Sequence, residues 1–160
     1  MRTIGPIGHL IIDATRGVAF LADPGRLTEA ITAYRQRVGG AALLTVCDLA
    51  SAWRHWRAAV PEPRTFTLRE ISQIAGTSYE VAHKWVTDGI IAASRRGRSG
   101  SGRRLAFTDH DAWVAALAGA MNRAGLRWSV IKTATDVLYG SRGKPQPSEA
   151  TAARKQVGVL

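Results

Sequence analysis

Cysteine, acidic side chains and long apolar runs are all scarce in this chain of 160 residues. Cys47 is the only cysteine. That excludes an internal disulfide framework and any cysteine-rich zinc site, and it fits a reducing compartment. His9, His55, His83 and His110 show no metal-ligand spacing, so no metal or other cofactor is expected. No apolar stretch reaches the roughly 18 residues needed to span a membrane. The opening segment, MRTIGPIGHLIIDATRG, is interrupted by His9, Asp13 and Arg16 and makes a poor signal peptide. A cytoplasmic protein without a membrane partner is the expectation. Enzyme signatures are missing as well. GRSGSG lacks the Lys-Ser/Thr of a phosphate loop and precedes a strand rather than a helix. Asp109-His110-Asp111 is compact enough to suggest a metal or acid–base site. Its place just before an apolar run reads instead as a helix start favoured by acidic residues.

What is abundant is positive charge. The 22 basic and 12 acidic residues give a net charge of +10, which points to a polyanionic partner, nucleic acid or an acidic membrane surface. The excess is spread out, at +3 in residues 1–64, +4 in 65–139 and +3 in 140–160. Local arrangement must therefore decide between partners.

Residues 8–22 hold two apolar runs around Thr15-Arg16-Gly17 and read as a short hairpin or a bent helix. Pro24 suits the first turn of a helix whose stripe is Leu27, Ile31, Tyr34 and Val38, ended by Gly39-Gly40. A second helix is predicted from about Ala41 to Ala59, with Val46, Leu49, Trp53, Trp56 and Val60 as its stripe. Residues 1–60 thus form a small, mostly helical region for assembly or partner contact, and Pro61-Glu62-Pro63 marks a linker over 61–64.

The next segment, 65–139, is punctuated by three capping boxes: Thr67/Glu70, Thr77/Glu80 and Thr108/Asp111. A short helix from about Leu68 to Ala75 ends at Gly76, and a second is expected over 77–88, closed by Gly89. Two short helices around a tight glycine turn make a helix-turn-helix. Ile90–Ala93 and Leu105–Phe107 read as strands flanking SRRGRSGSGRR (94–104), where Gly and Ser carry Arg95, Arg96, Arg98, Arg103 and Arg104. Guanidinium groups on such a tip cannot pack inward without partners, but they can lie along phosphates. A helix from Asp109 to Ala124, with Trp113, Leu117, Met121 and Ala124 inward, and a further helix through Ile131 and Leu138 complete the unit. Residues 140–160 lose periodicity and read as a mobile polar tail.

On the helix over 77–88, at about 100° per residue, Val81 and Trp85 share one face. Tyr79, Glu80, His83, Lys84 and Thr87 share the other. That polar face can reach base edges, with Lys84 the better phosphate ligand. Glu80 is explained by its capping box.

The order TFTLREISQIAGTSYEVAHKWVTDGII, an Arg/Gly wing, then RRLAFTDHDAWVAALAGAMNRAGLRWSVIKTATDVL resembles the MerR-type winged helix domain. The resemblance covers about half the chain. It implies a mainly α fold with a small β wing, Tyr79, His83 and Lys84 in the major groove, and Arg95 to Arg104 on the backbone or minor groove. Two departures matter. Glu80 stands where the family usually has an Arg, and only a 21-residue tail follows where the family has a long dimerisation helix. The expectation is a sequence-specific double-stranded DNA-binding protein, a homodimeric transcriptional regulator that meets RNA polymerase. The first alternative is a phage excisionase or terminase-small-subunit-like component that assembles with a recombinase or terminase. The second is a protein–protein adaptor that uses the winged helix without DNA.

Overall fold

The computed structural model describes residues 8–93, 95–96 and 105–140. The chain is mixed α/β and mostly helical, with a three-stranded antiparallel sheet near its N-terminus.

Strands β1 (His9–Asp13) and β2 (Val18–Ala22) form the hairpin, in register from Asp13↔Val18 to His9↔Ala22. Asp13 folds the turn. Its carboxylate accepts from the backbone amides of Thr15 and Arg16 at 3.1 Å and from the Arg16 guanidinium at 3.0 Å, while Gly17 supplies φ +65°. These bonds outweigh burial, which alone would raise it, and hold the Asp13 carboxyl below the usual range. After a 3-10 turn at Pro24–Arg26, helix α1 (Leu27–Val38) crosses one face of the hairpin. There the Tyr34 ring meets Phe20 at 5.1 Å, and its hydroxyl donates to Asp13 at 2.9 Å.

The helix predicted from Ala41 is a strand and then a helix. β3 (Leu44–Asp48) pairs with β1, giving the order β2-β1-β3, and α2 (Leu49–Ala59) starts only afterwards. Leu-Thr-Val-Cys has strand-favouring residues, and Asp48 then caps α2 by accepting from the amides of Ala50 and Ser51. Val46, assigned to the buried stripe, sits on β3 and is 40% exposed. The N-terminal region is therefore a sheet with two helices rather than mostly helical.

Four further helices follow: α3 (Leu68–Ala75), α4 (Tyr79–Thr87), α5 (Asp109–Arg123) and α6 (Trp128–Gly140). Between α4 and α5 lies a two-stranded ribbon of β4 (Arg95–Arg96) and β5 (Leu105–Ala106). The capping boxes at Thr67/Glu70 and Thr108/Asp111 both form. The one at Thr77/Glu80 does not. The Thr77 amide closes α3 by donating to the Ser72 carbonyl at 3.0 Å, so the cap of α4 falls on Ser78, which accepts from Val81. Ile90–Ala93 is not a strand either. The amides of Ile90 and Ile91 turn back to the Trp85 carbonyl, and both side chains are fully buried. On α5 the inward face is Ala112, Trp113, Ala115, Ala118 and Gly119. Leu117 and Met121 are half-buried and Ala124 is exposed.

One continuous core runs from Leu10 and Ile12 of β1 through α2 to Trp85, Trp113 and Tyr139. Helix α6 covers the sheet face opposite α1. The Trp53/Trp56 stripe is buried against the later helices. Trp53 meets Trp113 edge-on at 5.5 Å, Trp56 approaches Phe66 at 6.1 Å, and Trp56 Nε1 donates to Asp109 at 3.2 Å beside an Arg57–Asp109 ion pair. The stripe is thus covered within the chain, and residues 65–139 share their core with the region before them. No helix among the described residues is long and apolar enough to cross a membrane.

Candidate nucleic-acid interface

The site is built from α3, α4 and the ribbon. Helix α3 is a scaffold: Leu68, Ile71, Ser72 and Ala75 are buried. It crosses α5 where Gly119 faces the Ala75 backbone, and a Cβ at 119 would come within 2.0 Å of the Ala75 carbonyl oxygen. Arg123, one turn further along α5, donates from Nη1 to that same carbonyl at 2.8 Å and satisfies the end of α3. Gly76, in the left-handed conformation at φ +65°, then swings the chain into α4.

Helix α4 is anchored on one side only. Ala82 and Trp85 are fully buried, and Trp85 meets Trp128 of α6 edge-on at 5.9 Å. The opposite face carries Tyr79, Glu80, His83, Lys84 and Thr87, all exposed. The structure thus brings four predicted site residues, Tyr79, His83, Lys84 and Thr87, onto one surface. Tyr79 and His83 stack at 6.5 Å between ring centroids, which pre-orders two aromatic groups. The Thr87 hydroxyl donates to the His83 carbonyl at 3.1 Å, leaving its oxygen as an acceptor.

Lys84 is not a bare cation. Its Nζ lies 3.0 Å from Asp88 and 5.5 Å above the Trp128 ring. Glu80, freed of the capping role, sits in the first turn of α4, where the helix dipole favours a carboxylate.

Of the five hairpin arginines, Arg95 and Arg96 have described backbones, paired with Ala106 and Leu105. Arg98, Arg103 and Arg104 lie outside the described residues. The root of the hairpin is fixed on two sides. Phe66 and Phe107 exchange backbone hydrogen bonds of 2.9 and 3.0 Å, so the chain entering α3 lies beside β5. On the other side the Ala92 amide donates to the Tyr139 hydroxyl at 3.0 Å, and that hydroxyl donates to Asp111 at 3.3 Å. Burial and the neighbouring Asp111 charge push the Tyr139 phenol far up, so the proton stays in place for this relay. His110 is wedged between Trp113 and Tyr139 at 5.7 and 5.6 Å. Asp109 and Asp111 are thereby engaged in joining elements. No group of three or more potential metal ligands occurs among the described residues.

Two cations were not singled out from the sequence. Arg69, in the first turn of α3, and Arg127, just before α6, are exposed and have no ion pair among the described residues. The signal for Arg69 was available: a cation in a helix's first turn opposes the dipole and needs another reason to be there. Comparison with protein-family models, with curated proteins and with solved structures gave no match.

Proposed function

We propose that the chain is a sequence-specific double-stranded DNA-binding protein, a transcriptional regulator that acts by binding rather than by catalysis. In this reading residues 65–139 are a MerR-like winged helix-turn-helix. The observation that carries the reading is the exposed face of α4. Tyr79, His83, Lys84 and Thr87 stand together on a helix whose other side is locked by Trp85 and Ala82, two residues fully out of solvent. A helix held rigidly from behind, with mixed donors and acceptors in front, suits insertion into a major groove. Tyr79 and His83 supply base contacts, and Thr87 accepts. The arginine-bearing hairpin supplies phosphate contacts, and the net charge of +10 supplies attraction at a distance.

Selection of bound sequences from random duplex DNA tests the reading. Enrichment of a short motif is the expected result, and no binding to any duplex at about 50 mM salt overturns it. The hairpin has its own test in a variant with Arg95, Arg96, Arg98, Arg103 and Arg104 all changed to Ala. If each contacts one phosphate, the slope of log affinity against log salt falls by about 4 to 5. An unchanged slope removes the hairpin from the interface.

A further inference from the structure

The two edges of the N-terminal sheet are unequal. β2, on one side, packs against α6 and is bordered by Arg16, Asp23 and Arg26. β3, on the other, pairs with β1 alone among the described residues, and its outer backbone groups face away from β1. Such an edge is a template for another strand, and proteins ordinarily blunt it with Lys, Pro, a bulge or a covering element. β3, Leu-Thr-Val-Cys-Asp, has no Lys, Arg or Pro. Its one charge, on Asp48, is occupied in capping α2. Beside it Leu43 is 85% exposed, and on it Val46 is 40% exposed.

Charge singles out the same place. In a chain of net +10, residues 38–53 contain no Lys or Arg and one acidic residue, Asp48. Two copies of so basic a chain repel each other, and this stretch itself adds no positive charge to that repulsion.

We infer that the free edge of β3 is where two copies of this chain meet, joining their sheets into one six-stranded antiparallel sheet. The occupant is a second copy because the edge is self-complementary. Two β3 strands related by a two-fold axis run antiparallel and exchange the same amides and carbonyls. With the axis near Val46, the two valines face each other and the Leu43 side chains cover the ends. Such a dimer goes beyond the DNA-binding reading and does not rest on it.

Sedimentation equilibrium of the full chain without DNA, over about 1–100 µM, tests the inference. The wild type is expected to form a dimer. Val46→Lys sets two like charges directly opposite each other at the axis, Leu43→Lys strips apolar cover from both ends of the join, and each weakens the dimer several-fold. Leu21→Lys, on the β2 edge and 40% exposed in the wild type, leaves the dimer unchanged. A wild-type chain that stays monomeric overturns the inference. So does a dimer indifferent to both β3 substitutions, or one that Leu21→Lys weakens equally. Should Val46→Lys fail to fold by circular dichroism, Leu43→Lys alone decides, because that side chain is almost wholly outside the core. A monomer that binds duplex DNA removes this interface and leaves the DNA reading standing, and a dimer that binds none does the reverse.

Discussion

Helices α3 and α4 are neighbours of nearly equal length with opposite employment. α3 has four buried residues in eight, a complete capping box at one end and the Arg123 guanidinium on its last turn. α4 has two buried residues in nine, a single serine cap and a row of exposed polar groups. The first is held on every side that matters, and the second is held from behind. Substitutions in or against α3 should therefore register as stability, and substitutions on the outer face of α4 as recognition.

The largest effect is expected at the α3–α5 crossing. Gly119→Ala places a methyl against a carbonyl oxygen with no side chain to move aside, and the cost is about 3 kcal/mol, the upper range for overpacking. Urea denaturation measures it. A loss under about 0.5 kcal/mol would show that the two helices can separate freely and that α3 is not a fixed scaffold.

Next come Tyr79→Ala and His83→Ala on α4. Each should leave the unfolding midpoint nearly unchanged while narrowing the gap between preferred and scrambled duplex by roughly 1–3 kcal/mol per lost base contact. Competition binding separates the outcomes. Uniform weakening on both duplexes places base readout elsewhere.

The α3 cap supplies a smaller, pH-dependent effect. Thr67→Ala should cost about 1 kcal/mol. The Glu70 carboxyl is held below its ordinary 4.5, first by the Thr67 amide it accepts from and then by Arg64 at 2.8 Å. A carboxyl depressed in the folded state stabilises fully above its unfolded value, and the contribution fades as pH falls through the folded one. The stability gap between wild type and Glu70→Gln should thus be widest near neutrality and close as pH drops below about 4.5. A gap that is flat with pH would deny the carboxylate its role at the cap.

The smallest effect tests Lys84. Asp88→Asn removes its carboxylate partner, and the freed ammonium should raise affinity for all duplexes alike, steepening the salt slope by about 1. If the slope stays put, Lys84 is committed to the Trp128 ring and makes no phosphate contact.

Much of α3, α4 and the later helices was legible because their signals are local. Thr67/Glu70 and Thr108/Asp111 state a helix start within four residues, and Gly39 and Gly76 state an end. The polar face of α4 followed from periodicity alone. What escaped depended on contacts distant in sequence. β3 fits a helical stripe as well as a strand until β1 is there to pair with it. Lys84 reads as free until Trp128 and Asp88 are placed around it. The burial of Trp53 and Trp56 required Trp113 and Asp109, over fifty residues away in sequence. The cap at Ser78 instead of Thr77 turned on which residue closes α3, a competition between two short-range bonds that spacing does not resolve.

Gly119 and Gly76 lie close together around the end of α3, yet they restrict variation differently. At Gly76 an added carbon meets the Arg123 guanidinium at 2.6 Å, the far end of a side chain that can swing away, and what bars a substitution is the backbone itself, whose φ of +65° strains any residue with a Cβ. At Gly119 the added carbon meets the Ala75 main chain, which is the same whatever amino acid occupies 75. No second-site exchange of one residue type for another can clear that obstruction, since every residue has a carbonyl. Codon 119 is thus a dead end for drift: a suppressor screen begun from Gly119→Ala should return reversion, or changes that raise stability elsewhere, and no compensating partner within α3.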